Sequence, residues 1–442
     1  MPTFAVENFG CRATEADAAA MRHAMQTEGW TNLPDLEAAE VVILNTCTVT
    51  AAADSQSRDA IRKIHRANPA ARIIVTGCYA QRAPEEIAAL QGVTCVVGNS
   101  RQQEIPALAR DFFPLSLLTT QNTHARPAPV LNANILFETN LQPVAAQSLV
   151  ADSTRPILKI QDGCNHRCAY CIIPAVRGRS RSLSADDVIS SVRRHVQAGV
   201  RELVLSGINL GSYGRDLSPS VSLAALVRRV LNDTAIEHLR FSSIEPQHIT
   251  QDFISLLAAS RRIAPHFHVP LQSGSDRILH AMHRWYRAGH YAARIELIAK
   301  MIPDAAIGAD VIAGFPGESE DDYRATCAFI RSLPLAYLHV FSFSARPGTE
   351  AENLPLQLPA AVIRERARCL RAIGEEKARA FRASQAGKPM LALTLSRSSA
   401  AWTAALTPNY LKVRIAGRHD RNHWRQLRVT PNTDDIVPSH PL

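Results

Sequence analysis

The chain has no apolar run long enough to cross a bilayer as a helix, which argues against a helical membrane protein. Its first residues, Met1 to Gly10, lack the basic start and apolar stretch of a secretory signal. A cytoplasmic location without membrane attachment is therefore expected. Without export, the nine cysteines read as reduced thiols kept for metal or packing rather than as a disulfide framework. Acidic residues are in deficit, 40 against 49 Lys and Arg, giving a net charge of +9 that suits a polyanionic partner. The 442 residues are enough for two or three domains, and 46% apolar content allows each a substantial core.

What is present begins with Gly163-Cys164-Asn165-His166-Arg167-Cys168-Ala169-Tyr170-Cys171. Three thiolates at this spacing can hold three irons of a [4Fe–4S] cube and leave the fourth iron open, whereas an electron-transfer cluster normally has four cysteines. A zinc knuckle is the bland alternative, but no fourth Cys or His stands at zinc-finger spacing. A second set is dispersed: Cys11, Cys47 in Asn45-Thr46-Cys47, and Cys78 in Gly77-Cys78. Each follows a strand-like run and precedes a helix-like stretch. In a parallel α/β sheet such positions are neighbouring carboxyl ends, where ligand sites gather. Taken singly, each is better read as a small buried residue; together they make a second metal set. Cys95, Cys327 and Cys369 lie in apolar or helical surroundings and read as packing residues.

The fold class expected is α/β in three parts. Strands at Phe4–Asn8, Val41–Asn45, Ile73–Thr76 and Thr94–Val97 alternate with helices at Glu15–Glu28 and Asp54–Arg66. This predicts a three-layer parallel α/β domain over residues 1–115. A polar, proline-bearing linker covers 116–150, with a β excursion around Ile135 to Glu138. Six strand–helix units follow, with strands at Ile157–Gln161, Glu202–Ser206, His238–Ser242, His266–Leu271, Ala306–Ile312 and Tyr337–Phe343. Six are too few for a complete eight-stranded barrel, so an open, partial (β/α)6 barrel is expected, with its site at the carboxyl ends of the strands. This part and a charged helix, Leu358–Ala383, occupy 151–383. Short strands at Met390–Leu395, Tyr410–Ile415 and Trp424–Val429 alternate over 384–442, in a pattern that resembles a small β-barrel module.

The cysteine spacing resembles the radical S-adenosylmethionine superfamily signature, whose cofactors carry the radical chemistry while the protein orients and shields it. With the second triad, essentially the whole chain resembles the methylthiotransferases, and its last part their RNA-binding TRAM module, whose core word is similar to Asn409-Tyr410-Leu411-Lys412-Val413. The words Thr48 to Arg58 and Ser242-Ser243-Ile244-Glu245-Pro246 are similar to the subgroup acting on threonylcarbamoyladenosine in tRNA. They are less like those acting on isopentenyladenosine or on a ribosomal-protein aspartate. The resemblance implies two [4Fe–4S] clusters, one on Cys164, Cys168 and Cys171 and one on Cys11, Cys47 and Cys78, with S-adenosyl-L-methionine as cofactor. It implies tRNA, a one-electron donor protein and a sulfur source as partners.

The resemblance also places Gly207, Asn209, Ser243, Glu245, Gln272, Asp310 and Gly314 on the cofactor side, at successive strand ends. For Gly314, as for Gly317, a simple tight turn is an equal reading. Tyr170 packs either on the adenine or on its own loop. For RNA, the candidates are Arg177, Arg179 and Arg181, then Arg418, Arg421, Arg425 and Arg428 with His423 and Trp424 as a stacking face. The Arg177–Arg181 run reads equally as a domain-contact segment.

Overall fold

The computed structural model describes residues 1–115, 127–139, 141, 153–430 and 437–441. Most of the expected linker lies outside the described residues. The chain divides into two compact units that interleave in sequence. The first comprises Met1–Leu149, Gln161–Leu183 and Ser344–Thr349; the second comprises Val150–Ile160, Ser184–Phe343 and Glu350–Leu442.

Strands buried on both faces need helices on both sides, and the first unit shows why. Its sheet contains β1 (Thr3–Asn8), β2 (Thr31–Asn32), β3 (Val41–Thr46), β4 (Arg72–Gly77), β5 (Val93–Val97) and β6 (Val130–Leu131), in the order β2-β1-β3-β4-β5-β6. All pairs are parallel. Alternate residues of β3 serve opposite faces. Val42 and Leu44 pack with Ile61 and Ile64 of helix Ala51–Ala67, while Val41 and Ile43 pack with Met21 and Met25 of helix Arg12–Thr27. The three-layer expectation is therefore met. Thr50 caps the second helix, its hydroxyl accepting from the Ala53 N–H at 3.2 Å.

Two local expectations change. Val130–Leu131 forms the edge strand β6, and Ile135–Phe137 is a 3-10 turn rather than a β excursion. The Asn134 side chain accepts from Leu136 N–H at 3.1 Å, which favours the turn.

In the second unit, six parallel strands build the partial barrel: β7 (Ile157–Asp162), β9 (Glu202–Gly207), β10 (His238–Phe241), β11 (His266–His268), β12 (Ala306–Ala313) and β13 (Tyr337–Ser342). β7 passes into the first unit at Gln161, where β8 (Arg181–Ser182) pairs with it antiparallel. A parallel bridge from Ser243 to His268 joins β10 to β11. β11 is shorter than expected because Pro270 has no N–H for a ladder.

The last strands, β14 (Pro389–Ser398), β15 (Trp402–Leu406), β16 (Lys412–Ala416), β17 (Trp424–Val429) and β18 (Val437–Pro441), close into a barrel in the order β14-β15-β16-β18-β17. Ala392, Ala405, Val413, Ile415, Leu427 and Val429 fill it. Tyr410 precedes β16 because it takes a left-handed φ of 71°. Its ring stacks on His266 with centroids 4.2 Å apart, and the Arg240 guanidinium lies 5.2 Å from its centre. The Asn409-Tyr410 word is thus an anchoring turn. No helix among the described residues is long and apolar enough to cross a membrane.

Candidate functional site

The sheet register brings the dispersed cysteines together. Thr46 pairs with Gly77, so Cys47 and Cys78 are the residues that directly follow two adjacent strands. β1 lies on the other side of β3, and Cys11 caps the helix Arg12–Thr27. Gly10 packs on Cys47 so closely that a Cβ there would lie 2.8 Å from the Cys47 Cβ. Cys11 is exposed, and Cys47 and Cys78 are buried. Burial pushes the Cys47 thiol up to about 12, and the sulfurs of Cys78 and Cys11 push it the same way. The register of β3 on β4 and the packing of Gly10 on Cys47 place the three cysteines at one end of the sheet. Soft, desolvated thiolate donors suit iron–sulfur ligation, and the positive charge of bound metal removes the penalty on their ionised forms.

The second set sits in a loop of the same unit. Gly163, with φ 73°, allows the loop to lie against the following turn; a Cβ there would be 2.0 Å from the Arg179 carbonyl oxygen. The Cys164 N–H donates to the Gly178 carbonyl at 3.1 Å, and that of Cys171 to the Cys168 carbonyl at 3.0 Å. The His166 N–H donates to Cys164 Sγ at 3.4 Å. Cys164, Cys168, Cys171 and Tyr170 are half-buried, so these thiols too fit a cluster at the protein's edge.

Arg177 and Arg181 are corrections. The exposed face expected of RNA-binding arginines is absent at both. Arg177 is 2% exposed. Its Nη2 donates to Asp17 Oδ2 at 2.8 Å and its Nη1 to Asp162 Oδ2 at 3.1 Å. Arg181 is buried, its Nη2 donating to the Arg177 carbonyl at 2.9 Å. The alternative reading of this run as a contact segment is the one met, while Arg179 is exposed.

A further cluster went unread in the sequence. Buried Asp54 accepts from Arg82 Nη2 at 3.0 Å and from Arg346. Thr48, the residue after Cys47, accepts from the same two arginines at 2.8 and 3.2 Å. Asp17, Asp162 and Asn99 carry no local motif, and Asp54 stands in the Thr48–Arg58 word without showing its partners; only the fold places them together.

The second unit holds the remaining candidates at or near the carboxyl ends of its strands. Gly207 ends β9, its N–H donating to Ser242 Oγ at 3.3 Å. Asn209 is buried at the turn that follows, and Ser243 bridges to β11. Glu245 pairs with Arg284, yet burial pushes its carboxyl up. Gln272 has φ 69° and donates its N–H to the Asp310 carbonyl at 2.8 Å. Asp310 lies within β12, as the expected strand has it. It accepts from His268 Nε2 at 2.8 Å and lies 3.3 Å from His339 Nδ1, and these partners hold its carboxyl far below the usual range despite burial. His268 and His339 escaped the sequence reading, although the alternation His266-Phe267-His268 marked one strand face. Gly314 is a turn with φ 79°, its N–H donating to Glu318 Oε2 at 2.9 Å. A Cβ on it would meet Ile363 at 2.6 Å, so the turn and its packing also call for glycine.

On the small barrel, Arg421, Arg425 and Arg428 are exposed. Trp424 is a correction. Its indole N–H donates to Glu237 Oε2 at 2.7 Å and its ring leans on His238, so it is committed to packing rather than free as a stacking face. Trp402 on β15 instead lies under Arg414 at 4.6 Å and Arg397 at 5.9 Å, a basic and aromatic surface that the sequence reading missed along with its strand.

The partial barrel and the three-cysteine loop define a class. The radical SAM superfamily matches residues 158–330, and a family described as "Uncharacterized protein family UPF0004" matches residues 3–98. The threonylcarbamoyladenosine tRNA methylthiotransferase MtaB of Aquifex aeolicus (strain VF5) is 34% identical over 93% of this chain and 96% of its own. The tRNA-2-methylthio-N(6)-dimethylallyladenosine synthase of Paenarthrobacter aurescens (strain TC1) is 32% identical over 90% of this chain and 75% of its own. Among solved structures, the radical S-adenosylmethionine methyltransferase TsrM from Kitasatospora setae, with cobalamin and a [4Fe-4S] cluster bound, aligns with a TM-score of 0.55 at 16% identity. It covers 79% of this chain and 77% of that one, a likeness of fold. The chain belongs to the radical S-adenosylmethionine methylthiotransferase family.

Proposed function

We infer that this protein is a tRNA methylthiotransferase that converts N6-threonylcarbamoyladenosine beside the anticodon to its 2-methylthio derivative. The observation that carries the reading is the pair of thiol triads within one compact unit, Cys11/Cys47/Cys78 and Cys164/Cys168/Cys171. Each triad would hold one [4Fe–4S] cluster, the second of them binding S-adenosylmethionine. When bound, these groups supply one-electron cofactor cleavage, sulfur and a methyl group. The chain's own work is to hold the thiols in register, to desolvate Cys47 and Cys78, and to keep water from a reactive site. Gly207, Asn209, Ser243, Glu245, Gln272, Asp310 and Gly314 remain its cofactor-side candidates, with Tyr170 in the cluster loop.

A one-electron donor protein and a sulfur source complete the turnover. Arg179 and the exposed arginines of the small barrel, with Arg397 and Arg414 over Trp402, supply the phosphate and stacking contacts that tRNA needs.

The threonylcarbamoyl group carries a carboxylate and a hydroxyl, whereas isopentenyl is apolar. Buried donors left unpaired by the apolar substrate cost roughly 1–3 kcal/mol, or about tenfold discrimination or more per lost contact. The relative that acts on dimethylallyladenosine supports the second reading. Mass spectrometry of tRNA nucleosides from cells with and without the gene, followed by competition between the two tRNAs, tests both. Loss of 2-methylthio-threonylcarbamoyladenosine is expected. Preference for isopentenyl tRNA would transfer the chain to the sister activity.

A further inference from the structure

A guanidinium buried as completely as that of Arg177 costs several kcal/mol unless it is compensated, and its surroundings show what it compensates. Asp17 belongs to the helix that Cys11 caps, and Asp162 precedes Cys164 by two residues. The helix Ile173–Arg177 begins two residues after Cys171, and its Val176 packs with Ile172 on Cys78. Asn99 Nδ2 joins the same place, donating to the Val176 carbonyl at 2.8 Å and lying 3.7 Å from Cys78 Sγ. All of these residues lie in the first unit.

Arg177 thus pairs at once with a carboxylate from the Cys11 helix and with one from the strand that leads into the Cys164 loop. The Arg177 Nε–H is buried, and no acceptor of good hydrogen-bond geometry meets it among the described residues. An unsatisfied buried donor of this kind calls for a partner, and sulfur at the triad is the acceptor the surroundings offer.

We propose that Arg177 is a positioning residue for the amino-terminal cluster: it ties the Cys11 helix to the Cys164 loop and donates an N–H to sulfur at the Cys11/Cys47/Cys78 site, raising that cluster's reduction potential. Hydrogen bonds to cluster sulfurs and local charge are known determinants of such potentials. The proposal rests on the assignment of Cys11, Cys47 and Cys78 as ligands.

The test uses the full-length chain with Cys164, Cys168 and Cys171 replaced by Ala, reconstituted anaerobically so that only the amino-terminal cluster is read. Potentials are measured by EPR-monitored redox titration, with iron per chain determined alongside. Arg177→Gln should shift the potential negative and Asp17→Asn should shift it positive, because one removes a cation and the other its counter-charge. Arg177→Lys should restore most of the negative shift. Opposite signs cannot come from a general loosening of the fold. If Arg177→Gln holds no iron, the Asp17→Asn and Arg177→Lys variants carry the comparison. Unchanged potentials, or shifts of the same sign, overturn the proposal. Adding Cys47→Ala separates the two layers: retention of full iron there removes the ligand assignment itself, whereas iron loss without the opposed shifts removes only the role of Arg177.

Discussion

Replacing Asp54 by Asn should destabilise the first unit and loosen the Cys47 loop. Asp54 is 4% exposed and is the shared anion of Arg82 and Arg346, the latter 3% exposed. Removing one partner of a buried ion pair costs about 3–5 kcal/mol, chiefly because a charge is left buried alone. Asn retains one acceptor oxygen and Thr48 still accepts from both arginines, so the lower end, about 3 kcal/mol, applies. For a unit of about 150–250 residues, each kcal/mol moves the thermal midpoint by roughly 2–4 °C, giving a fall of about 6–12 °C. Circular dichroism melts of the anaerobically reconstituted protein would show it, with iron content read in parallel. An Asp54→Asn, Arg346→Met double variant should lose less than the sum of the single changes, since removing both charges leaves less unpaired. A single-variant midpoint within about 2 °C of the parent, under about 1 kcal/mol, would refute the reasoning.

Replacing Cys164, Cys168 and Cys171 by Ala should leave about half the iron and abolish cofactor cleavage if each triad holds one cluster; full iron in that variant would remove the assignment. A Cys47→Ala variant should still form deoxyadenosine but no methylthiolated nucleoside, measured by chromatography of the same reaction. Arg397→Ala with Arg414→Ala should weaken tRNA binding and flatten its salt dependence by up to about 0.7–0.9 in log–log slope for each lost phosphate contact, and an unchanged slope would place the RNA elsewhere. Burial lowers the pKa of His195, whose Nδ1 is 2.7 Å from the Ser191 carbonyl oxygen, below the ordinary 6.5. The neutral ring's stability is therefore fully present above pH 6.5 and lost as pH falls through the depressed value. Melts from pH 7 to 5 should fall more steeply for the parent than for His195→Gln, and parallel curves would count against the assignment.

Much of the architecture was legible because it is periodic. β3, β4 and the helix Glu320–Ser332 announce themselves by apolar runs and caps, and β17 was placed to the residue. The triads were legible because thiols at strand ends have few other uses. What escaped depends on long-range pairing. Arg177 looked like a surface cation in a basic run, and only the fold brings it to Asp17, 160 residues away. Arg346 and Asp54 are separated by 292 residues. Nothing local to Trp424 marks Glu237 and His238 as its partners. β15 was missed because its alanines give a weak strand signal, and Trp402 was missed with it.

The interleaving of the two units has a consequence for biosynthesis. A ribosome releases the first 115 residues, with Cys11, Cys47 and Cys78, long before it makes the segments that complete their unit, Gln161–Leu183 and Ser344–Thr349. Until Arg177 emerges, Asp17 lacks that guanidinium, and until Arg346 emerges, Asp54 lacks one of its two. The nascent thiol sheet therefore cannot reach its final charge balance until about four-fifths of the polypeptide has been made, as a domain that folds in synthesis order would. A fragment ending before Gln161 would therefore lack both of these cations.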